Sequence, residues 1–273
     1  MISLRIELVF AWGYSIKAKK VAKAQYAHSL PPPTTLIGAI SKGLAKASGR
    51  GEILLTDGKL MSPAATYATI FKYASAFLQP ELDSKRGIGK YWEDPLRYQI
   101  LQFQKSGRRA DPTYRFGLLP TGKVYCPSAK MVVGYLVDEA SAEHLLGADW
   151  DKRLTSAAYS ITHIGAKESI TTVEDVELTE ADIIKDREFE TRFYIPAKAV
   201  EDILDVETGP YGLGGTYVES FWNVGYEWGV EQNDIEYIVP GLRDPIISCR
   251  MRVKPVKGVL SYMVGEDGVA VSA

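Results

Sequence analysis

Residues 17–38 read K-A-K-K-V-A-K-A-Q-Y-A-H-S-L-P-P-P-T-T-L-I-G, and they constrain the fold more than any other stretch. Pro31, Pro32 and Pro33 each fix φ, remove a backbone donor and push the preceding residue away from helix. A strand running in from the N-terminus must end before them, and a helix can begin only after them. Upstream, Leu4, Ile6, Leu8 and Phe10 alternate with Arg5 and Glu7, the period of a strand with one buried face. Downstream, Leu36, Ile37, Ile40, Leu44 and Ala47 recur at helical spacing. Thr34 or Thr35 is the expected N-cap and Gly49 the expected stop. Gly38 and Gly43 are costly inside a helix, so they predict close packing on a sheet or on RNA.

Further along, Ala64 to Phe77 is rich in Thr, Tyr, Ile and Phe and reads as a second strand. Met131 to Val137 reads as a buried strand, Ser141 to about Tyr159 as a capped helix, and Ser169 to Leu178 as an alternating strand. Between the second and third strands lies a long insertion, 79–127. Gln99 to Gln104 alternates there, and Val124-Tyr125-Cys126 offers a partner strand. A structureless loop of that length is improbable, so a projecting hairpin is expected. The order strand, helix, strand, insertion, strand, helix, strand is that of an α+β, ferredoxin-like βαββαβ domain, which RNA-recognition modules use. Its expected span is 1–179, with 180–273 as a smaller β-rich part packed on it.

Charge points to the ligand. The chain carries 32 Lys and Arg against 34 Asp and Glu, yet seven cationic residues and no acidic one lie between Glu7 and Glu52. Such local asymmetry creates a field that the near-neutral total hides. Lys17, Lys19, Lys20 and Lys23 can neutralise phosphates, and Tyr26 and His28 can stack on unpaired bases. Residues 85–115 hold eight Lys or Arg against three Asp or Glu. There Arg86, Lys90, Arg97, Lys105, Arg108, Arg109 and Arg115 alternate with Tyr91, Trp92, Tyr98, Tyr114 and Phe116, a pattern suited to single-stranded nucleic acid. The aromatics suit a protein partner equally well. Gly165 permits close backbone approach to a ligand and Lys167 can meet a phosphate, although a plain turn explains both. By contrast, residues 168–207 hold thirteen Asp or Glu against four Lys or Arg and should repel phosphate.

Other chemistries find little support. Cys126 and Cys249 lie far apart, and His28, His144 and His163 are scattered, so neither a disulfide framework nor a metal site is expected. Gly212-Leu213-Gly214-Gly215 lacks the spacing of a nucleotide loop. No cofactor is expected. Arg5 and Glu7 interrupt the N-terminal apolar run, and no uninterrupted apolar run of membrane-spanning length occurs. A reducing cytosol is the expected location. For RNA cleavage without a metal, His28 and Tyr26 are the candidate acid and base.

Two motifs carry a resemblance: P-T-T-L-I-G-A-I-S-K-G-L-A at Pro33–Ala45 and I-G-A-K-E-S-I-T-T-V-E-D-V at Ile164–Val176. With the order of elements over 1–180, they resemble the Cas five family of CRISPR-associated proteins, in the RAMP group, closest to its archaeal type I-A branch. The resemblance implies an RNA-binding subunit of the Cascade surveillance complex that caps the 5′ handle of the guide RNA. It implies that Lys17–Lys23 with His28 line the handle groove, that Arg86–Arg115 form a thumb touching the neighbouring backbone subunit, and that Gly165 and Lys167 lie beside the RNA. One branch of the family cuts precursor RNA with a Tyr, Lys and His arrangement that does not map here residue by residue. A non-catalytic subunit is the primary expectation. A metal-independent endoribonuclease and a protein-only scaffold are the alternatives.

Overall fold

The structure, a computed structural model, describes residues 1–18, 27–51, 53–56, 58–79, 92–102, 107, 110–111, 116–185, 187–208, 212–222, 234–243 and 245–271, with 56, 59, 92–102, 116–121 and 222 as backbone alone. In chain order its first part comprises β1 (Ile2–Phe10), β2 (Gly13–Tyr14), α1 (Pro33–Ala47), β3 (Leu54–Thr56), β4 (Lys59–Met61), α2 (Ala64–Tyr67) and β5 (Phe71–Leu78). Then come β6 (Trp92–Gln102), β7 (Phe116–Tyr125), β8 (Lys130–Val137), α3 (Glu139–Leu146), α4 (Trp150–Tyr159) and β9 (Thr171–Glu180). The rest is almost wholly strand. It runs through β10 (Ile183–Ile184), β11 (Phe189–Thr191), β12 (Ile195–Pro196), β13 (Val200–Val206), β14 (Thr216–Trp222), β15 (Asp234–Arg243), β16 (Ile246–Ser248), β17 (Met251–Pro255), β18 (Leu260–Val264) and β19 (Asp267–Val271).

β1 is the axis of the molecule. Leu4, Ile6, Leu8 and Phe10 are completely buried, and burial of each such side chain stabilises by roughly 1.5–3 kcal/mol. β8 and β9 pair antiparallel on either side of it, and β5 pairs with β8, giving the order β5-β8-β1-β9. α1 connects β1 to the β3–β4 hairpin and β5, while α3 and α4 connect β8 to β9. Leu36, Ile37, Ile40 and Leu44 of α1 and Leu154, Ala157 and Ala158 of α4 join the β1 side chains in one core.

Three local expectations are corrected. α1 starts at Pro33, not at a threonine cap: Pro32 is the N-cap and the amides of Thr35 and Leu36 donate to its carbonyl. Proline suits the first helical position because its missing N–H is an orphan there. The strand expected from Ala64 begins only at Phe71. Ser62 Oγ accepts from the Ala64 amide at 3.2 Å, and the turn that Pro63 starts stays helical through Ile70. The single helix expected over 141–159 is two, broken at Gly147 with φ +83, and Asp138 rather than Ser141 stands at its N-cap. Gly49 does end α1. Its amide bonds Lys46 and the Arg50 amide bonds Ala45 at 2.8 Å, the paired closure that a left-handed glycine permits.

The insertion contains a hairpin: β6 and β7 pair antiparallel from Trp92↔Tyr125 to Gln102↔Phe116. Its base is tied to the exit of β1, where β2 pairs with β7. Gly13, at φ +138, lies so close to Val124 that a Cβ would fall 2.0 Å from its carbonyl oxygen.

The C-terminal strands cover the second face of the sheet. Tyr73, Phe77, Val132 and Leu136 pack against Phe193, Tyr262, Val264 and Val269. Gly134 admits Phe193, whose ring would lie 2.7 Å from an added Cβ. Tyr194, Phe221, Tyr237, Val239 and Ile246 enter the first core, so the interior is continuous across residue 180. β17 sits between β11 and β13 and sets Arg250, Arg252 and Lys254 against Glu190, Glu188 and Glu201. Part of the acidic stretch is thus matched by cations from a distant strand.

Candidate nucleic-acid interface

The mouth of the basic loop is closed by backbone pairing. Lys17 and Ala27 form an antiparallel bridge, and the His28 amide donates to Ile16 O at 2.9 Å. Lys19, Lys20, Lys23 and Tyr26 lie outside the described residues. So do Arg86, Lys90, Lys105, Arg108, Arg109 and Arg115, while Arg97 is placed by its backbone in β6, opposite Thr121.

The segment from Ala27 to Pro33 is held from β14 and its neighbours. His28 is only 9% exposed, its Nδ1 lies 3.0 Å from Glu219 Oε1, and its ring meets Phe221 edge-on at 5.1 Å. The same carboxylate accepts from the Ser29 amide at 3.2 Å and from Ser29 Oγ. Ser29 Oγ also lies 2.7 Å from the Tyr217 hydroxyl. Burial first, then the neighbouring Glu219 charge, raises the Tyr217 pKa, which keeps this phenol protonated. Tyr14 donates to Ser29 O and Tyr194 to Pro31 O, the latter at 2.8 Å. His28 therefore anchors the loop end that leads into α1. It also lines a cleft of about 310 Å³ with Lys17, Pro32, Thr34, Thr35, Ser220 and Asp234.

Gly165 has φ +85, but its close approach is to protein. An added Cβ would fall 2.5 Å from Ile16 Cγ1 and 2.9 Å from Ser15 O, and the Ala166 amide donates to Ser15 O at 3.1 Å. The loop that carries Lys167 is thereby fixed against the exit of β1. Lys167 opens onto a second cavity, of about 490 Å³, shared with Lys42, Lys46, Arg50 and His163. Among the described residues, no carboxylate lines it. Sequence reasoning missed Lys42, Lys46 and Arg50, although the four-residue spacing of Lys42 and Lys46 puts those two on one face of α1, with Arg50 just past its end. Glu219 carried no signal at all, since it reaches His28 across 191 residues.

Among the described residues, no group of three or more His, Cys, Asp or Glu is arranged to hold a metal ion. Cys126 and Cys249 are unpaired and buried, and burial raises both thiol pKa values. No helix among the described residues is long and apolar enough to cross a membrane.

The fold is that of a CRISPR protein. The crystal structure of a CRISPR protein from Archaeoglobus fulgidus superposes over the whole of both chains with a TM-score of 0.60 at 18% identity. No protein-family model matches, but curated relatives do. The CRISPR-associated protein Cas5 3 of Saccharolobus solfataricus is 36% identical over 274 residues, covering all of both chains. The CRISPR system aCascade subunit Cas5 1 of the same organism is 37% identical over the same span. The chain belongs to the Cas5 family of CRISPR-associated proteins. The likeness extends through residues 180–273, beyond the span in which the sequence motifs lie.

Proposed function

We propose that this chain is a non-catalytic subunit of a Cascade-type interference complex, which binds the 5′ handle of the guide RNA and seeds assembly with the neighbouring backbone subunit. The observation that carries the reading is a cationic track from three separate segments. Lys17 stands at the pinned loop mouth. Lys167 follows the glycine that rests on Ser15 and Ile16. Lys42, Lys46 and Arg50 share its cavity. The strand order β5-β8-β1-β9 with its two helical connections supports a ferredoxin-like βαββαβ domain. The β6–β7 hairpin is the thumb, and 180–273 is a β-rich part that shares its core. Because C-terminal side chains pack on the second face of the sheet over β5 and β8, RNA follows the loop edge rather than that face. One curated relative is named as an aCascade subunit, which agrees with this role.

The test is a metal-free titration of full-length protein against end-labelled repeat RNA, read on native and denaturing gels across salt concentrations. An intact, shifted RNA is expected. Lys19→Glu with Lys20→Glu is expected to weaken binding and to flatten the salt dependence by about 0.7 log units per lost phosphate contact on a single strand. An unchanged slope would remove the basic loop from the interface. A shortened product abolished by His28→Ala would instead make the chain an endoribonuclease. No RNA binding at any salt would favour the protein-only scaffold.

A further inference from the structure

The 490 Å³ cavity has a feature that the cationic track alone does not explain. Ser41, on the cavity wall, is 1% exposed, and its Oγ has no hydrogen-bond partner. A helical serine normally satisfies itself by bonding back to a carbonyl one turn earlier. At the helix ends, Ser48 bonds back to Leu44 O at 2.9 Å just past α1, and Ser160 to Ala157 O at 2.7 Å just past α4. A buried hydroxyl without a partner is destabilising and calls for an explanation in a native fold. Beside it, Gly38 leaves open space, with nothing within 4 Å of where a Cβ would stand. Lys46, Arg50 and Lys167 line the same space, exposed at its rim. The Arg50 backbone is fixed by its bond to Ala45, and the Lys167 loop by the Ala166 bond to Ser15.

We propose that this cavity is a subsite for one phosphate-bearing ribonucleotide. Ser41 Oγ donates to a phosphate oxygen, Lys46, Arg50 and Lys167 balance its charge, and the space over Gly38 takes the sugar or base. The volume is in the range of small-molecule sites and exceeds what a bare phosphate needs. Among the described residues the charged side chains that line it, Lys42, Lys46, Arg50 and Lys167, are all cationic, which selects an anion, and a buried hydroxyl at its wall selects one with acceptor oxygens. The identification of the ribonucleotide as part of a bound strand rests on the RNA-binding function proposed above.

Adenosine monophosphate and inorganic phosphate serve as probes for the full-length protein, with thermal unfolding and calorimetry as readouts. Wild-type protein is expected to bind the nucleotide saturably and more tightly than phosphate. Ser41→Ala is expected to weaken nucleotide binding about tenfold, and Gly38→Leu to abolish it by filling the cavity. Neither variant should lower the unfolding midpoint of the free protein, because one removes an unsatisfied hydroxyl and the other occupies empty space. Repeat RNA then separates the sources. Weaker RNA binding by both variants, or displacement of the nucleotide by RNA, assigns the subsite to the strand. Nucleotide binding by a wild-type protein that binds no RNA supports the pocket with a free nucleotide as ligand, and sinks the RNA-subunit reading instead. If neither probe binds saturably and both variants hold RNA as wild type does, the subsite is overturned and the RNA reading stands. If the protein binds none of the three, both fall.

Discussion

Gly38 and Gly43 lie five residues apart on α1, and replacing either by alanine makes the same chemical change with opposite expected outcomes. In a helix interior alanine is favoured over glycine by about 0.5–1 kcal/mol at either site. Steric surroundings decide the remainder. At Gly38 an added Cβ meets nothing within 4 Å, so Gly38→Ala should stabilise by that full amount. At Gly43 it would stand 2.3 Å from Ser160 Oγ and 2.9 Å from both the Cα and the carbonyl oxygen of Ala157. The serine can turn away, but the α4 backbone cannot, so α1 and α4 must separate. Overpacking of this kind costs about 1–3 kcal/mol. Gly43→Ala should therefore destabilise by up to about 2 kcal/mol after the propensity gain, and the two variants should differ by about 1–3 kcal/mol. Urea unfolding followed by circular dichroism measures both, with equal m values as the check that only native stability changed. If the two substitutions stabilised alike, α1 would not touch α4 at Gly43, and the close packing of the two helices argued above would be wrong.

Glu219→Gln should cost about 2–4 kcal/mol in the same assay, because the His28 ring and the Ser29 amide and hydroxyl all converge on that carboxylate. A loss below about 1 kcal/mol would mean that the loop end is not anchored there. Burial raises the pKa of Tyr73, Tyr135, Tyr194, Tyr217 and Tyr237, so folding favours their protonated forms. That contribution is fully present below the unfolded tyrosine pKa near 10 and is lost as pH rises beyond it, by about 7 kcal/mol per pH unit for the five together. Exposed tyrosines such as Tyr159 should ionise in the folded protein, so a first part of the tyrosinate absorbance precedes alkaline unfolding and the part owed to these five should appear only with it; complete ionisation before unfolding would contradict the raised pKa values. Cys126, buried with its pKa raised, should resist a thiol-reactive dye in native protein and react in urea. Rapid native labelling would refute its burial.

Much of the fold is written locally. Leu4, Ile6, Leu8 and Phe10 announce a one-sided strand, and three prolines fix where the chain turns toward a helix. The alternation near Gln99 and at Val124 gives a hairpin before any contact is known. These readings succeed because hydrophobic period and proline geometry act within a few residues. They fail where short-range signals compete, as at Ala64–Ile70, where β-favouring residues follow a proline turn that stays helical. Charge composition likewise locates the basic loop, since a run of lysines is a property of the segment itself. Tertiary structure alone decides what those segments meet. It brings Glu219 to His28, which ties the loop end to β14, and sets β17 against the acidic strands. It sets Gly165 against Ser15 and Ile16, and gathers Lys46, Arg50 and Lys167 about the cavity that the unsatisfied Ser41 lines. Each of these depends on pairing across tens to hundreds of residues, where register and packing of the whole core, rather than any local preference, choose the neighbour.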